Sequence, residues 1–198
     1  MDKKERIVRA ALDSFLERGI QKTTIAHIVQ GADIAQGTFY LYFPSKMALM
    51  PAIAEVMADK LLTTMKQSVD EDLPMSKQLV QIIDAIFEVN KTYHEVQALI
   101  YAGLASTEHL KKWESVYEPI YAYLRNWLWK AKVLKAVRST VIEEDVSKLM
   151  IGLIESAAEQ VYLYDEHKEE GARRQKRAVY ELLQHALELQ EEKEGYNG

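Results

Sequence analysis

Residues Gln36 to Leu49 read QGTFYLYFPSKMAL. Gly37 and Thr38 open the run, the rings of Phe39, Tyr40, Tyr42 and Phe43 crowd its middle, Pro44 stops it and Ser45-Lys46 starts it again. Such a run is either buried filler or a surface made to touch something, and its flanks decide between the two. On its N-terminal side, Ile7, Ala11 and Phe15, with Val8, Leu12 and Leu16, recur at the spacing of one helical stripe. Gly19 follows Arg18 as a residue able to take the left-handed conformation that ends a helix. Thr23 and Thr24 are candidate N-caps for a second helix, in which Ile25, Ile28 and Val29 point inward. Asp33 falls in a tight turn, Ile34 plugs the angle, and a short helix is expected over about residues 35–42. Two short helices joined by a turn of about three or four residues form a helix-turn-helix arrangement. On the C-terminal side Ser45 is a cap for a further helix, with Met47, Leu49 and Met50 starting its apolar stripe and Pro51 in its first turn.

Composition places this arrangement in an all-α chain. Of 198 residues, 48% are apolar and 28% charged, enough for a real core, while only 8 Gly and 4 Pro interrupt a background of good helix formers. No apolar run reaches the roughly 18 residues of a membrane span, and the N-terminus lacks the pattern of a signal peptide, so a cytoplasmic protein is expected. The absence of cysteine excludes disulfides, thiolate zinc sites and thiol redox sensing. The net charge of −5 is uneven: residues 1–50 hold seven basic and five acidic side chains, a balance of +2, which leaves −7 on the rest. Any surface for nucleic acid therefore belongs to the N-terminal quarter.

The segment TTIAHIVQGADIAQGTFYLYFPSKMAL resembles the DNA-binding part of the TetR family of bacterial transcriptional regulators. Gly37, Thr38, Tyr40, Phe43, Ser45, Lys46 and Leu49 carry that resemblance at the family's spacing, which covers residues 7–49. Two positions depart from it: Asp33 stands in place of the usual turn glycine, and Ala35 in place of a capping Ser or Thr. The resemblance implies a DNA-binding domain over 1–47 and an effector-binding and dimerisation domain over 48–198. On the recognition helix Phe39 and Phe43, four apart, face inward. Gln36 is then placed to offer its amide to adenine and Thr38 to bond a base or phosphate, while Gly37 lets the backbone approach the DNA. Tyr40, Tyr42, Lys46 and Thr24 are expected at phosphates. The competing reading of the tyrosines is plain surface cover.

Beyond residue 70 the pattern changes to long helices, expected over 75–93, 95–106, 108–135, 143–164 and 169–191. In the last two, Leu149, Leu153, Ala157 and Val161 form one stripe, and Val179, Leu182, Leu183, Ala186 and Leu187 another. With the small residues Gly152, Ser156, Ala157 and Ala158, they suggest a homodimer interface; an intrachain core is the alternative. The middle helices concentrate aromatic residues, including Phe87, Tyr101, Trp113, Tyr117 and Tyr121, with Asn90, Glu155 and Glu159 as polar groups among apolar neighbours. These eight residues are candidates for an effector pocket that takes a small hydrophobic ligand, with a cation as one option. A solid aromatic core is the bland alternative. The five histidines show no metal-ligand spacing, and no phosphate loop or nucleophile cluster is present, so neither an enzyme nor a resident cofactor is expected. The expected function is a ligand-responsive regulator, a repressor by the family's usual mode, bound as a homodimer to a palindromic operator in double-stranded DNA. The alternative is an organising factor of the same fold that binds DNA without an effector.

Overall fold

The computed structural model describes residues 2–104 and 110–190, and the side chains of these except Leu99, 101–104 and 110–114. Every regular element among the described residues is helical: α1 (Lys3–Arg18), α2 (Ile25–Gly31), α3 (Gln36–Tyr42), α4 (Met50–Ser68), α5 (Met75–Leu104), α6 (Leu110–Val133), α7 (Glu143–Glu159) and α8 (Lys168–Leu187). The chain divides into two compact units, Met1–Ala58 with Tyr93–Val116 and Asp59–Thr92 with Tyr117–Gly198.

In the first unit several helix boundaries have a local cause. Asp2 accepts from the Glu5 amide while the Glu5 carboxylate takes the Asp2 amide, so α1 begins in a reciprocal capping box. It ends at Gly19, whose φ of 75° lies in the left-handed region, with its amide donating to the Phe15 carbonyl. Ile7, Val8, Ala11, Leu12 and Phe15 are buried as the stripe requires, whereas Leu16 is exposed and lies off it. Of the two threonines, Thr24 caps α2. The Thr23 hydroxyl instead lies 2.9 Å from each of the Ser14 and Gly19 carbonyl oxygens, fixing the corner between α1 and α2 from inside. The corner between α2 and α3 turns at Asp33, φ 50°, the left-handed geometry that aspartate tolerates better than most residues. Arg6 reaches over from α1 and donates to the Ala32 and Asp33 carbonyls there. Ile28, Val29, Phe39, Phe43, Leu49 and Ile53 close this core, and truncating a ring such as Phe39 to alanine costs about 3–5 kcal/mol.

The expected division between helices over 75–93 and 95–106 is present inside α5: the backbone leaves helical values at Tyr93 (φ −118°, ψ 15°), so two helical stretches meet at a kink where the chain passes from one unit to the other. The second unit is centred on Leu79, Ile82, Ile83, Ile86 and Phe87 of α5, Ile120, Leu124 and Leu128 of α6, and Met150, Ile154 and Ala158 of α7. Two polar side chains inside it are linked: the Trp127 indole donates to Gln78 Oε1 at 3.1 Å, and the Gln78 amide in turn donates to the Leu73 carbonyl at 2.7 Å. Past Glu159 the helix widens to a π turn over Gln160–Tyr164 and stops at Asp165. Asp165 Oδ1 accepts the His167 amide at 2.9 Å, and the carboxylate lies so close to Gly171 that a β-carbon there would sit 2.3 Å from Oδ2.

The apolar stripes of α7 and α8 split between inside and outside. Ala157, Val161, Val179, Leu183 and Leu187 are buried within the subunit, whereas Leu149 is 70% and Leu182 56% exposed. Gly152, Ser156 and Ala186 are exposed beside them, and a β-carbon on Gly152 would meet nothing within 4 Å. The outward face of α7 is therefore Leu149, Gly152 and Ser156, not the predicted run through Ala157 and Val161.

A candidate nucleic-acid interface and an aromatic core

Seven residues suffice for α3, and its N-cap position, Ala35, supplies no side-chain hydrogen bond. Packing decides the orientation. Phe39 and Phe43 are buried with ring centroids 5.9 Å apart, and Phe39 meets Tyr40 edge-on at 5.5 Å. Successive residues of a helix are rotated by about 100°, so fixing these two rings inward turns the Gly37-Thr38 and Tyr40-Leu41-Tyr42 positions away from the core. Gln36, Gly37, Tyr40 and Tyr42 are exposed and Thr38 half-buried. A β-carbon on Gly37 would meet no atom within 4 Å, so the backbone is bare at this point. The helix thus presents amide, hydroxyl and phenol groups on one rigid surface, as groove recognition needs.

Two further predicted contacts have structural duties. Thr24 Oγ1 accepts the His27 amide at 3.3 Å, and His27 Nδ1 accepts the Thr24 amide at 3.3 Å, a capping box with histidine in the place usually held by Glu or Gln. With Nδ1 accepting, the neutral ring carries its proton on Nε2. Lys46 Nζ donates to the Ile20 carbonyl at 2.7 Å and to the Thr23 carbonyl at 2.8 Å, pinning the α1–α2 corner to the segment after α3. Its charge is held beside Thr24 by those bonds. An open groove of about 480 Å³ between α1 and α2 is lined by Asp13, Glu17 and Arg18, the last two paired at 3.2 Å, together with His27 and Gln30. Sequence reading missed the clamping duties of Arg6 and Lys46. It also passed over Leu41, which is 83% exposed in the last turn of the recognition helix; the phase set by Phe39 and Phe43 was the signal that pointed to it.

In the second unit Phe87, Asn90, Tyr117, Tyr121 and Glu155 are buried, and Glu159 is half-exposed at the end of α7. Tyr117 donates from its hydroxyl to Glu155 Oε1 at 2.7 Å, which supplies the partner that a buried glutamate requires. The Tyr117 and Tyr121 rings lie 5.9 Å apart, and Lys148 Nζ stands 5.3 Å from the Tyr121 ring centre. Phe87 meets Tyr162 edge-on at 6.2 Å, and Lys176 Nζ stands 5.4 Å from the Phe87 ring centre. Tyr162 was not among the predicted residues; the π turn brings it there, and burial raises its phenol above the ordinary value. Asn90 Nδ2 donates back to the Ile86 carbonyl at 2.9 Å. Tyr101 and Trp113 lie outside the residues whose side chains are described. No helix among the described residues is long and apolar enough to cross a membrane, and none of their His, Asp and Glu side chains form a group able to hold a metal ion.

Comparison with known proteins agrees with this geometry. Residues 7–53 match the model of the bacterial regulatory proteins of the tetR family, and residues 79–187, more than half of the chain, match the tetracyclin repressor-like C-terminal domain. The HTH-type transcriptional regulator YvdT of Bacillus subtilis (strain 168) is 34% identical over 185 residues, covering 93% of this chain and 95% of that protein. Salmonella enterica GusR shares the fold with a TM-score of 0.71 at 23% identity, over 94% of this chain and 95% of its own. Thermus thermophilus FadR, a repressor solved in complex with lauroyl-CoA, does so with a TM-score of 0.69 at 19% identity, over 98% of this chain and all of its own. The chain belongs to the TetR family of helix-turn-helix transcriptional regulators, and is a regulator rather than an enzyme.

Proposed function

We propose that the protein is a cytoplasmic, ligand-responsive repressor that binds a palindromic operator in double-stranded DNA as a homodimer and leaves it when a small hydrophobic effector binds. The observation that carries the DNA-reading part is the orientation of α3, with Phe39 and Phe43 buried and Gln36, Gly37, Tyr40 and Tyr42 exposed. In this reading residues 1–47 bind DNA: Gln36 and Thr38 address bases, Gly37 permits close approach, and Tyr40, Tyr42, Thr24 and Lys46 lie at phosphates. Residues 48–198 bind the effector and form the dimer through α7 and α8. A two-fold pair of reading heads matches half-sites about 34–36 Å apart, or a multiple of that spacing. An effector that prefers the dimer with its heads wrongly spaced by a few kcal/mol empties the operator.

The effector site in this reading has Phe87, Tyr117 and Tyr121 as its aromatic walls, with Asn90, Glu155 and Glu159 as its polar groups. Lys148 and Lys176 stand beside the Tyr121 and Phe87 rings, so those faces favour an uncharged, apolar ligand over a cation. FadR, bound to lauroyl-CoA, shows this fold holding an acyl ligand. Buried rings are also what a filled core shows, which favours the second reading, an organising factor without an effector.

Selection from a random duplex library tests the first part. An enriched inverted repeat is expected, and Gln36→Ala should reduce preference for it by more than it reduces affinity for random DNA; a library without enrichment overturns the reading. For the second part, acyl and aromatic compounds are screened for release of the protein from the selected site. If none of them lowers occupancy, the organising factor is the better reading.

A further inference from the structure

The exposed leucine of the recognition helix remains unexplained by the contacts above. Leu41 is 83% exposed, more than Tyr40 or Tyr42, on a helix whose other apolar residue, Phe39, is fully buried. Its place in the helix is specific. With Phe39 and Phe43 inward, Leu41 stands nearest the centre of the outward face, and Tyr40 and Tyr42 lie about 100° to either side of it. Helical side chains lean toward the N-terminus, so Leu41 lies over the turn that contains Gly37, four residues earlier. At Gly37 no side chain competes for the space and no atom stands within 4 Å of where a β-carbon would be. Leu41 and the bare backbone at Gly37 therefore share the outward face of α3, with Leu41 as its apolar centre and a phenol on either flank.

That pattern fits the floor of a major groove. Phenols on the two flanks suit the phosphates that line its walls, and an apolar centre suits the one apolar group a base pair displays there, the thymine 5-methyl. We infer that Leu41 is a specificity-determining residue, reading the 5-methyl group of one thymine in each operator half-site. The inference rests on the proposed DNA-reading role of α3 and adds to it a base preference that hydrogen bonding from Gln36 and Thr38 does not supply.

Deoxyuridine differs from thymidine only by that methyl group, which gives a direct test. In the site selected from random duplexes, each thymine is replaced singly by deoxyuridine in both half-sites, and the binding of the intact protein is measured. One position should stand out, with affinity falling about three- to fivefold per half-site as expected for losing one buried methyl contact. Leu41→Ala, whose melting temperature should match that of the parent because the residue is exposed, should bind the thymine and deoxyuridine versions equally. Tight binding that ignores every replacement overturns the inference and leaves the DNA-reading role standing. Discrimination that survives in Leu41→Ala assigns the methyl to another residue and also overturns it. Failure to select any site overturns the DNA-reading role and the inference together.

Discussion

Lys46 carries a structural duty that its proposed place at a phosphate does not require. Its ammonium holds the Ile20 and Thr23 carbonyls, two acceptors at the corner where α1 passes into α2. Hydrogen bonds to charged groups contribute about 1.5–3 kcal/mol each, more than neutral ones. Lys46→Ala should therefore lower the thermal midpoint of the protein as well as weaken binding to every DNA sequence. A melt followed by circular dichroism checks this: an unchanged midpoint would mean that the two bonds contribute nothing to the folded state. The family pattern made Lys46 visible as a residue, but its carbonyl partners lie 26 and 23 positions away in the chain, and no local spacing announces them.

The elements carry faults as well as fitted parts. Ala35 stands at the N-cap of α3 with an extended backbone (φ −72°, ψ 148°), the conformation a capping serine adopts. Ala35→Ser should raise stability by about 1 kcal/mol by giving the first turn of α3 a side-chain acceptor. A rise in the urea midpoint at unchanged slope is the expected readout. Near the other end of the chain, Gly171 leaves room for the Asp165 carboxylate that ends the π turn. In Gly171→Ala the new methyl would displace that carboxylate from the His167 amide and from Arg174, 3.4 Å away, at a cost of about 1–3 kcal/mol. The double variant with Asp165→Ala should recover part of the loss, since the clash is pairwise; additive losses in chemical denaturation would contradict that origin.

For the whole molecule the question is what covers the outer face of α7 and α8. Leu149 and Leu182 are well exposed in the single subunit, and Gly152 and Ser156 leave α7 low enough for a second helix to approach. Replacing both leucines by glutamate should leave the subunit folded, because neither side chain enters its core, while placing like charges across the proposed two-fold interface. Sedimentation should show a dimer for the parent and a monomer for Leu149→Glu/Leu182→Glu, with loss of tight operator binding. A variant that remains dimeric would place the interface elsewhere.

The amino-acid sequence by itself determined the helical class, the end of α1, the placing of α2 and α3, and the family to which the chain belongs. These depend on signals a few residues apart: the period of Ile7, Ala11 and Phe15, the glycine at 19, the threonine pair at 23 and 24, and the spacing from Gly37 to Leu49. The tertiary structure decided what period alone leaves open. An apolar stripe does not say whether its partner is the same chain or another, so only packing separated Ala157 and Val161, buried, from Leu149, exposed. A buried glutamate does not name its donor, and Tyr117 lies 38 positions from Glu155. The inward placing of Phe39 and Phe43 was legible in their spacing, and the structure added how far Leu41, opposite them on α3, stands out into solvent. Short-range propensity and capping act along the sequence, whereas burial and pairing are properties of groups the fold brings together from distant positions.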